Sequence, residues 1–335
     1  MTTIKYSCII KYMDDLKKTQ HFSTNKDLLF GMNFNPVHAV DPFAGKCNLC
    51  SHFPYTMWEL YDIDVKTPEV IYRDSLMNPI DYTGKTVITN PPYLAKNKTS
   101  EFKEIFEKYQ TDDLYKAAIL SIIGCKNGIL IIPLNFFTDE NSREVRKEFL
   151  SRYKVEYVNC FTKQMFENTT YNVCSFYFEE GETKDVMFNN IFEQKVIVAS
   201  LKKEEGYRLG GSFFEKIKKI KPIFSRSING KANTNIFVNC LDKRNKKFGL
   251  EYTPNFIYNG NKKDRIFATL NCEKDLTEEE QRKIVNLFNF YVTNIRDTYG
   301  DLVFTNYRDF GRKRISFEDV YKICTMCYEE VICSF

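Results

Sequence analysis

The chain has 335 residues, enough for two domains of ordinary size or one large one. It is 43% hydrophobic and 15% aromatic with few glycines and prolines, which excludes a disordered or collagen-like chain. Its 48 Lys plus Arg against 44 Asp plus Glu leave a formal charge of only +4, so the total by itself does not point to nucleic acid. No apolar run approaches the ~18 residues of a membrane span; residues 128–137, the longest, are interrupted by Pro133 and Asn135. Residues 1–15 carry no apolar signal-peptide core. The 11 cysteines, odd in number and scattered, suit reduced thiols in a cytoplasmic protein better than a disulfide framework. Two CxxC pairs, Cys47/Cys50 and Cys324/Cys327, offer four thiolates, but they lie far apart in the chain and are read as ordinary cysteines, with no metal site expected.

In chain order, short β-branched or aromatic runs at 37–41, 56–61, 70–73, 86–89, 128–133, 155–161 and 171–178 alternate with longer segments, among them helical stretches at 113–126 and 139–153. Strands alternating with helices imply parallel pairing through right-handed crossovers, hence an open α/β sheet. The last two runs read as a hairpin that places one reversed strand at or near an edge. Residues 195–272 differ: they are rich in Lys, Asn, Gly and aromatics, with short strand-like pieces and one helix at 212–219. Thr277 and Glu280 form a capping-box pattern. The helix it opens keeps Ile284, Leu287, Phe288, Tyr291, Val292 and Ile295 at helical spacing, and a last helix spans 316–333.

The sharpest feature is Asn90-Pro91-Pro92-Tyr93, directly after the run at 86–89. A strand ending in Asn-Pro-Pro is a nearly rigid turn that lacks two backbone donors. Ligands of open α/β sheets bind at the carboxyl ends of strands. There the Asn90 amide oxygen and the Pro91 carbonyl become two convergent acceptors, a match for a planar NH₂ group, and Tyr93 adds an aromatic face for a heterocycle.

The tetrad resembles the catalytic motif of the N6-adenine DNA methyltransferases that use S-adenosylmethionine, and other stretches resemble that family's motifs in the expected order. Residues 37–45 run a strand into a glycine turn, Asp41-Pro42-Phe43-Ala44-Gly45, although Lys46 and Cys47 stand where a second glycine is usual. The resemblance gives Asp41 to the cofactor's ammonium, with Phe43, Ala44 and Gly45 beside it. It gives Asp62 to the ribose hydroxyls, Asp74 with Ser75 to the adenine, and Phe22 and Thr24 to the methionine moiety, while Asn90 borders the cofactor as well. It makes Asn90, Pro91, Pro92 and Tyr93 catalytic and sets Tyr93 and Phe166 against the extruded base. It also implies a Rossmann-like, mostly parallel methyltransferase sheet over residues 1–190 and no metal. Taken alone, each of these acids reads as a solvated loop carboxylate.

Only about 45 residues separate Gly45 from Asn90, too few to hold a recognition domain, so that domain follows the last strand. This is the layout of the family's gamma class, with an α+β target-recognition domain over 195–335, basic at 195–272 and helical at 275–335. The charge agrees. Residues 195–272 hold 17 Lys plus Arg against 6 Asp plus Glu, while the remainder holds 31 against 38. The basic clusters contain Lys218, Lys219, Lys243, Arg244, Lys246, Lys247, Lys262, Lys263 and Arg265; any one alone reads as a solvated face, and together with interleaved aromatics they suit a phosphate-tracking surface. The expectation is methyl transfer to adenine N6 of a short site in double-stranded DNA after base extrusion. It is for a monomer or dimer in a bacterial or DNA-virus setting, with a cognate restriction endonuclease as an open partner and no membrane partner. The alternatives are an RNA or protein-glutamine methyltransferase with the same tetrad and a non-catalytic nucleic-acid-binding subunit of the same fold.

Overall fold

The computed structural model describes residues 26–166, 170–305 and 312–333. The chain divides into two compact units at Arg208/Leu209. In the first, ten strands form one sheet: β1 (His38–Asp41), β2 (Met57–Asp62), β3 (Ile71–Tyr72), β4 (Thr86–Thr89), β5 (Asn127–Pro133), β6 (Tyr153–Lys154), β7 (Tyr157–Phe161), β8 (Val173–Glu180), β9 (Asp185–Asn190) and β10 (Lys195–Ser200). Their order is β10-β9-β7-β8-β5-β4-β1-β2-β3, with β6 on β8. Strands β3, β2, β1, β4 and β5 are parallel neighbours. The sheet is mixed α/β and mostly parallel in its site-bearing half, as expected. Its central strands are continuous apolar runs because both faces are covered: six of the seven residues of β5 are buried.

Helices α1 (Lys103–Tyr109), α2 (Leu114–Ser121), α3 (Asn135–Thr138) and α4 (Arg143–Leu150) join these strands. The helix expected over 113–126 ends early, since Gly124 takes a φ of +108°. The reversed strand is also placed differently from the sequence expectation. β8 runs antiparallel between β5 and β7, inside the sheet, and β10 is a second reversed strand. The hairpin β9–β10 extends the sheet beyond β7, so residues 195–208 belong to the first unit and not to the basic second half. Their composition misled because an edge strand keeps one face open to solvent, as the alternating burial of β10 shows.

The second unit contains α5 (Gly211–Lys218), β11 (Phe224–Arg226), β12 (Ile236–Asn239), β13 (Gly249–Tyr252), β14 (Phe267–Cys272), α6 (Glu278–Tyr299) and α7 (Phe317–Cys333). Its four strands are antiparallel in the order β11-β14-β12-β13. One sheet face packs Ile236, Val238, Leu250 and Leu270 against Ile284, Phe288 and Val292 of α6 and Val320 and Ile323 of α7. Both arms of the capping box form: the Thr277 hydroxyl accepts from Glu280 N, and Glu280 accepts from Thr277 N at 2.7 Å. Cys324 and Cys327 are buried in this core on α7. Among the described residues no helix is long and apolar enough to cross a membrane.

One glycine sets the spacing of the β4–β5 pair. Gly128 on β5 lies opposite Val87 on β4, and a Cβ there would meet the Val87 carbonyl oxygen at 1.7 Å. A contact that short is possible only without a side chain. Gly128→Ala therefore costs about 3 kcal/mol of stability through overpacking, read as a lowered denaturant midpoint with an unchanged slope.

Candidate active site

Every strand from β3 to β4 delivers at least one expected residue to the same edge of the sheet. Asp41 ends β1, Asp62 ends β2, Asp74 and Ser75 follow β3, and Asn90 follows β4. Because β3, β2, β1 and β4 are successive neighbours, these residues stand side by side at the carboxyl ends. Side-chain bonds join the neighbours. The Thr89 hydroxyl donates to Asp41 Oδ1 at 2.7 Å, which also accepts from Phe43 N at 3.0 Å. Gly45 N donates to Asp62 Oδ2 at 2.8 Å, and Asp64 N to Asp62 Oδ1 at 2.8 Å. Asp62 thus braces the glycine turn of the neighbouring strand. Asp74 Oδ1 accepts from Leu76 N and Met77 N, at 3.1 and 2.9 Å.

The departure in the glycine motif resolves in the backbone. Gly45 has φ +54°, and Cys47, where the usual second glycine is missing, also takes a left-handed φ of +59°. The loop keeps a glycine's conformation without the glycine. Cys47 N bonds the Ala44 carbonyl at 2.8 Å, and its thiol lies 3.3 Å from Thr67 Oγ1.

Burial pushes the Asp41 carboxyl up to about 7, against the bonds from Thr89 and Phe43, and the nearby Asp62 charge adds to the rise. A buried acid facing another acid is a site that gains by taking a cation. The hydroxyl of Ser75 is buried with no protein partner, an unmet polar group beside Asp74. Phe43, Ile63 and Met77 pack together on one apolar cluster next to these acids. Acids, an orphaned hydroxyl and an apolar wall fit a cofactor with an ammonium, a ribose and a purine. Thr89, Ile63 and Met77 went unnoticed in the sequence, although each adjoins or lies within three residues of a recognised motif position.

The tetrad is held on both sides. Upstream lies β4; downstream, Leu94 N donates to Asp113 Oδ1 at 3.0 Å and Leu114 N to the Leu94 carbonyl at 3.1 Å. Burial raises the Asp113 carboxyl to about 7. A polar cavity of about 390 Å³ beside this segment is lined by Ala95, Lys96, Asp112, Asp113, Lys116 and Asn135.

The two residues expected beside the target base are both buried. Tyr93 offers no open face: it is 1% exposed, and its ring meets Tyr115 and Tyr171 edge-on at 6.3 and 6.0 Å. Its hydroxyl finds partners in the interior, which draws the ring inward. Phe166 is 4% exposed and also presents no free face. Phe22 and Thr24 lie outside the described residues.

In the second unit, antiparallel pairing brings two basic segments to one end of the sheet. Asn239 at the end of β12 pairs with Phe267 at the start of β14, so the turn bearing Lys243, Arg244, Lys246 and Lys247 and the loop bearing Lys262, Lys263 and Arg265 are neighbours. Lys243 Nζ lies 4.4 Å from the Phe267 ring centroid. Arginines pin both segments. The buried Arg296 holds Asp242 through two bonds of 2.7 and 3.0 Å, and Arg226 donates to the carbonyls of Lys262 and Asp264 at 2.5 Å each. Lys218 and Lys219 are not part of this group; they end helix α5, which packs on α7.

Cys47 gives a clean test of the loop geometry. Cys47→Gly is more stable than Cys47→Ala by about 1 kcal/mol, because both lose the thiol and only alanine keeps the left-handed penalty; paired urea titrations check the difference.

No curated protein sequence matches the chain. Similar folds occur in a protein described as the modification subunit of a type I restriction enzyme from Vibrio vulnificus YJ016 (14% identity, 63% of this chain and 55% of that one, TM-score 0.42). They occur also in a type I restriction-modification methyltransferase subunit from Streptococcus thermophilus (16% identity, 53% and 50%, TM-score 0.36) and in the type I restriction enzyme EcoKI M protein (11% identity, 45% and 43%, TM-score 0.37). The chain spans about half the length of these structures, and at such scores the likeness assigns no role to any residue. Residues 85–166, which carry β4, the tetrad, β5 and Phe166, match the family described as Eco57I restriction-modification methylase.

Proposed function

We propose that the chain is an S-adenosylmethionine-dependent DNA methyltransferase acting on N6 of adenine within a short sequence. The observation that carries this reading is the tetrad at the carboxyl end of β4, one strand from Asp41 and bonded to it through Thr89. The match of residues 85–166 to a restriction-modification methylase family supports it.

The cofactor supplies a methyl group on a sulfonium. Asp41 would hold its ammonium, Asp62 its ribose, and Asp74 with Ser75 its adenine, the purine lying on the wall of Phe43, Ile63 and Met77. The Asn90 amide oxygen and Pro91 carbonyl accept from the target amine and favour a nucleophilic nitrogen as positive charge develops there. Holding amine and methyl donor in line provides most of the remaining acceleration. A stacked adenine cannot present its amine this way, so the base leaves the duplex. The first unit is the catalytic domain and the second the target-recognition domain, with Lys243, Arg244, Lys246, Lys247, Lys262, Lys263 and Arg265 along the phosphates; Lys218 and Lys219 add a separate basic patch. A restriction endonuclease is the partner expected alongside.

Radiolabelled methyl uptake compared across DNA, RNA and protein tests the substrate class; uptake confined to RNA or protein sinks the proposal. Asn90→Ala should keep cofactor affinity and lose methyl transfer by roughly a hundredfold or more. A second outcome follows from Asp41. Its ionised form binds the ammonium, and its carboxyl titrates near 7 when the site holds no cation. Cofactor affinity therefore rises by roughly tenfold or more between pH 5.5 and 7.5, and Asp41→Asn binds weakly and without this slope, as calorimetry across that range would read.

A further inference from the structure

The buried ring of Tyr93 leaves its hydroxyl with a task that base stacking does not explain. The hydroxyl lies 2.7 Å from the Ile131 carbonyl oxygen and 2.5 Å from Asn90 Oδ1. Ile131 is one residue beyond the last β4–β5 pair, Thr89 with Leu130. Past that point β4 continues into Pro91 and Pro92, which bring no N–H to a neighbouring strand. The hydroxyl thus supplies a donor where the chain has none, and in the same position it touches the one amide the reaction depends on.

We propose that Tyr93 is a positioning residue: its hydroxyl, anchored on the Ile131 carbonyl, fixes the rotation of the Asn90 amide so that the amide presents an acceptor to the substrate amine. The proton inventory gives the direction. A phenol has one proton, a backbone carbonyl only accepts, and a primary amide has one end of each kind. Tyr93 therefore shares its single proton between the Ile131 carbonyl and Asn90 Oδ1. The amide oxygen is thereby held at Tyr93, with a second lone pair left for the substrate amine. Turned by half a rotation, Asn90 would set its own N–H groups against an amine whose protons it must accept. Burial holds the Tyr93 phenol well above its ordinary value, so the hydroxyl keeps its proton throughout the working range.

The inference rests on the reading of this site as an amino-methyltransferase, and its test separates the two. Tyr93→Phe keeps the ring, and with it any contact the ring makes to a base, and removes only the hydroxyl. Its kcat should fall about tenfold or more, while KM for S-adenosylmethionine and for DNA stays within about twofold and 2-aminopurine at the mapped target brightens as in the wild type. Turnover is measured well below the variant's own melting temperature, so that lost stability does not enter the rate. A variant with wild-type kcat overturns the positioning role, and so does one whose loss lies wholly in KM or in base extrusion. If the wild-type protein transfers no methyl group to DNA, the functional reading itself fails.

Discussion

Parallel strands that end side by side have no hairpin to satisfy their last backbone groups, and this chain answers that constraint with side chains. At the carboxyl edge of β3, β2, β1, β4 and β5, Asp62 accepts from the glycine turn, Asp74 accepts from the turn after β3, and Asp113 accepts from the segment after the tetrad. Thr89 donates to Asp41, and Tyr93 donates to the strand beyond the prolines. Each of these bonds orders a loop, and the ordered loops bring together the groups the proposed reaction needs. The site is the sheet edge, closed by its own polar residues.

The same closure sets the electrostatics. A carboxyl that is 2% exposed and near a second acid resists ionisation, so Asp41 waits near neutrality for a positive partner. The strain is local and small. Cys47 holds a left-handed backbone at a position where related motifs carry glycine, and the thiol's contact with Thr67 accompanies that conformation.

The second unit treats charge in another way. Its core is apolar, and two arginines are used inward, Arg296 on Asp242 and Arg226 on loop carbonyls, so that the lysines of the adjoining segments remain exposed on defined backbone. A near-neutral total therefore hides a strong local imbalance. Hydrogen bonds from a planar guanidinium fix a loop in a way that a lysine cannot, and rigid basic segments lose less entropy on meeting phosphates.

Period and punctuation made much of this legible. The runs that became β1, β4, β5, β7 and β8 stand out because strands covered on both faces are largely apolar, and the capping box at Thr277 announced α6 because its two bonds are local. The acids at the strand ends could be named from the family resemblance together with their order, since the carboxyl ends of parallel strands share one sheet edge. The sequence could not give what depends on partners distant in the chain. The position of β8 inside the sheet follows from its pairing with both β5 and β7, and β10 looked like part of the basic half because its membership is decided by β9. Nor could it say which way Tyr93 faces: an aromatic residue after Pro-Pro is equally suited to a ligand or to the core, and here Tyr115, Tyr171 and the Ile131 carbonyl decide for the core. Local chemistry thus determined which residues gather at the site, while tertiary packing decided which of their atoms are left to act, because burial and hydrogen-bond partners are properties of neighbours that the linear order does not contain.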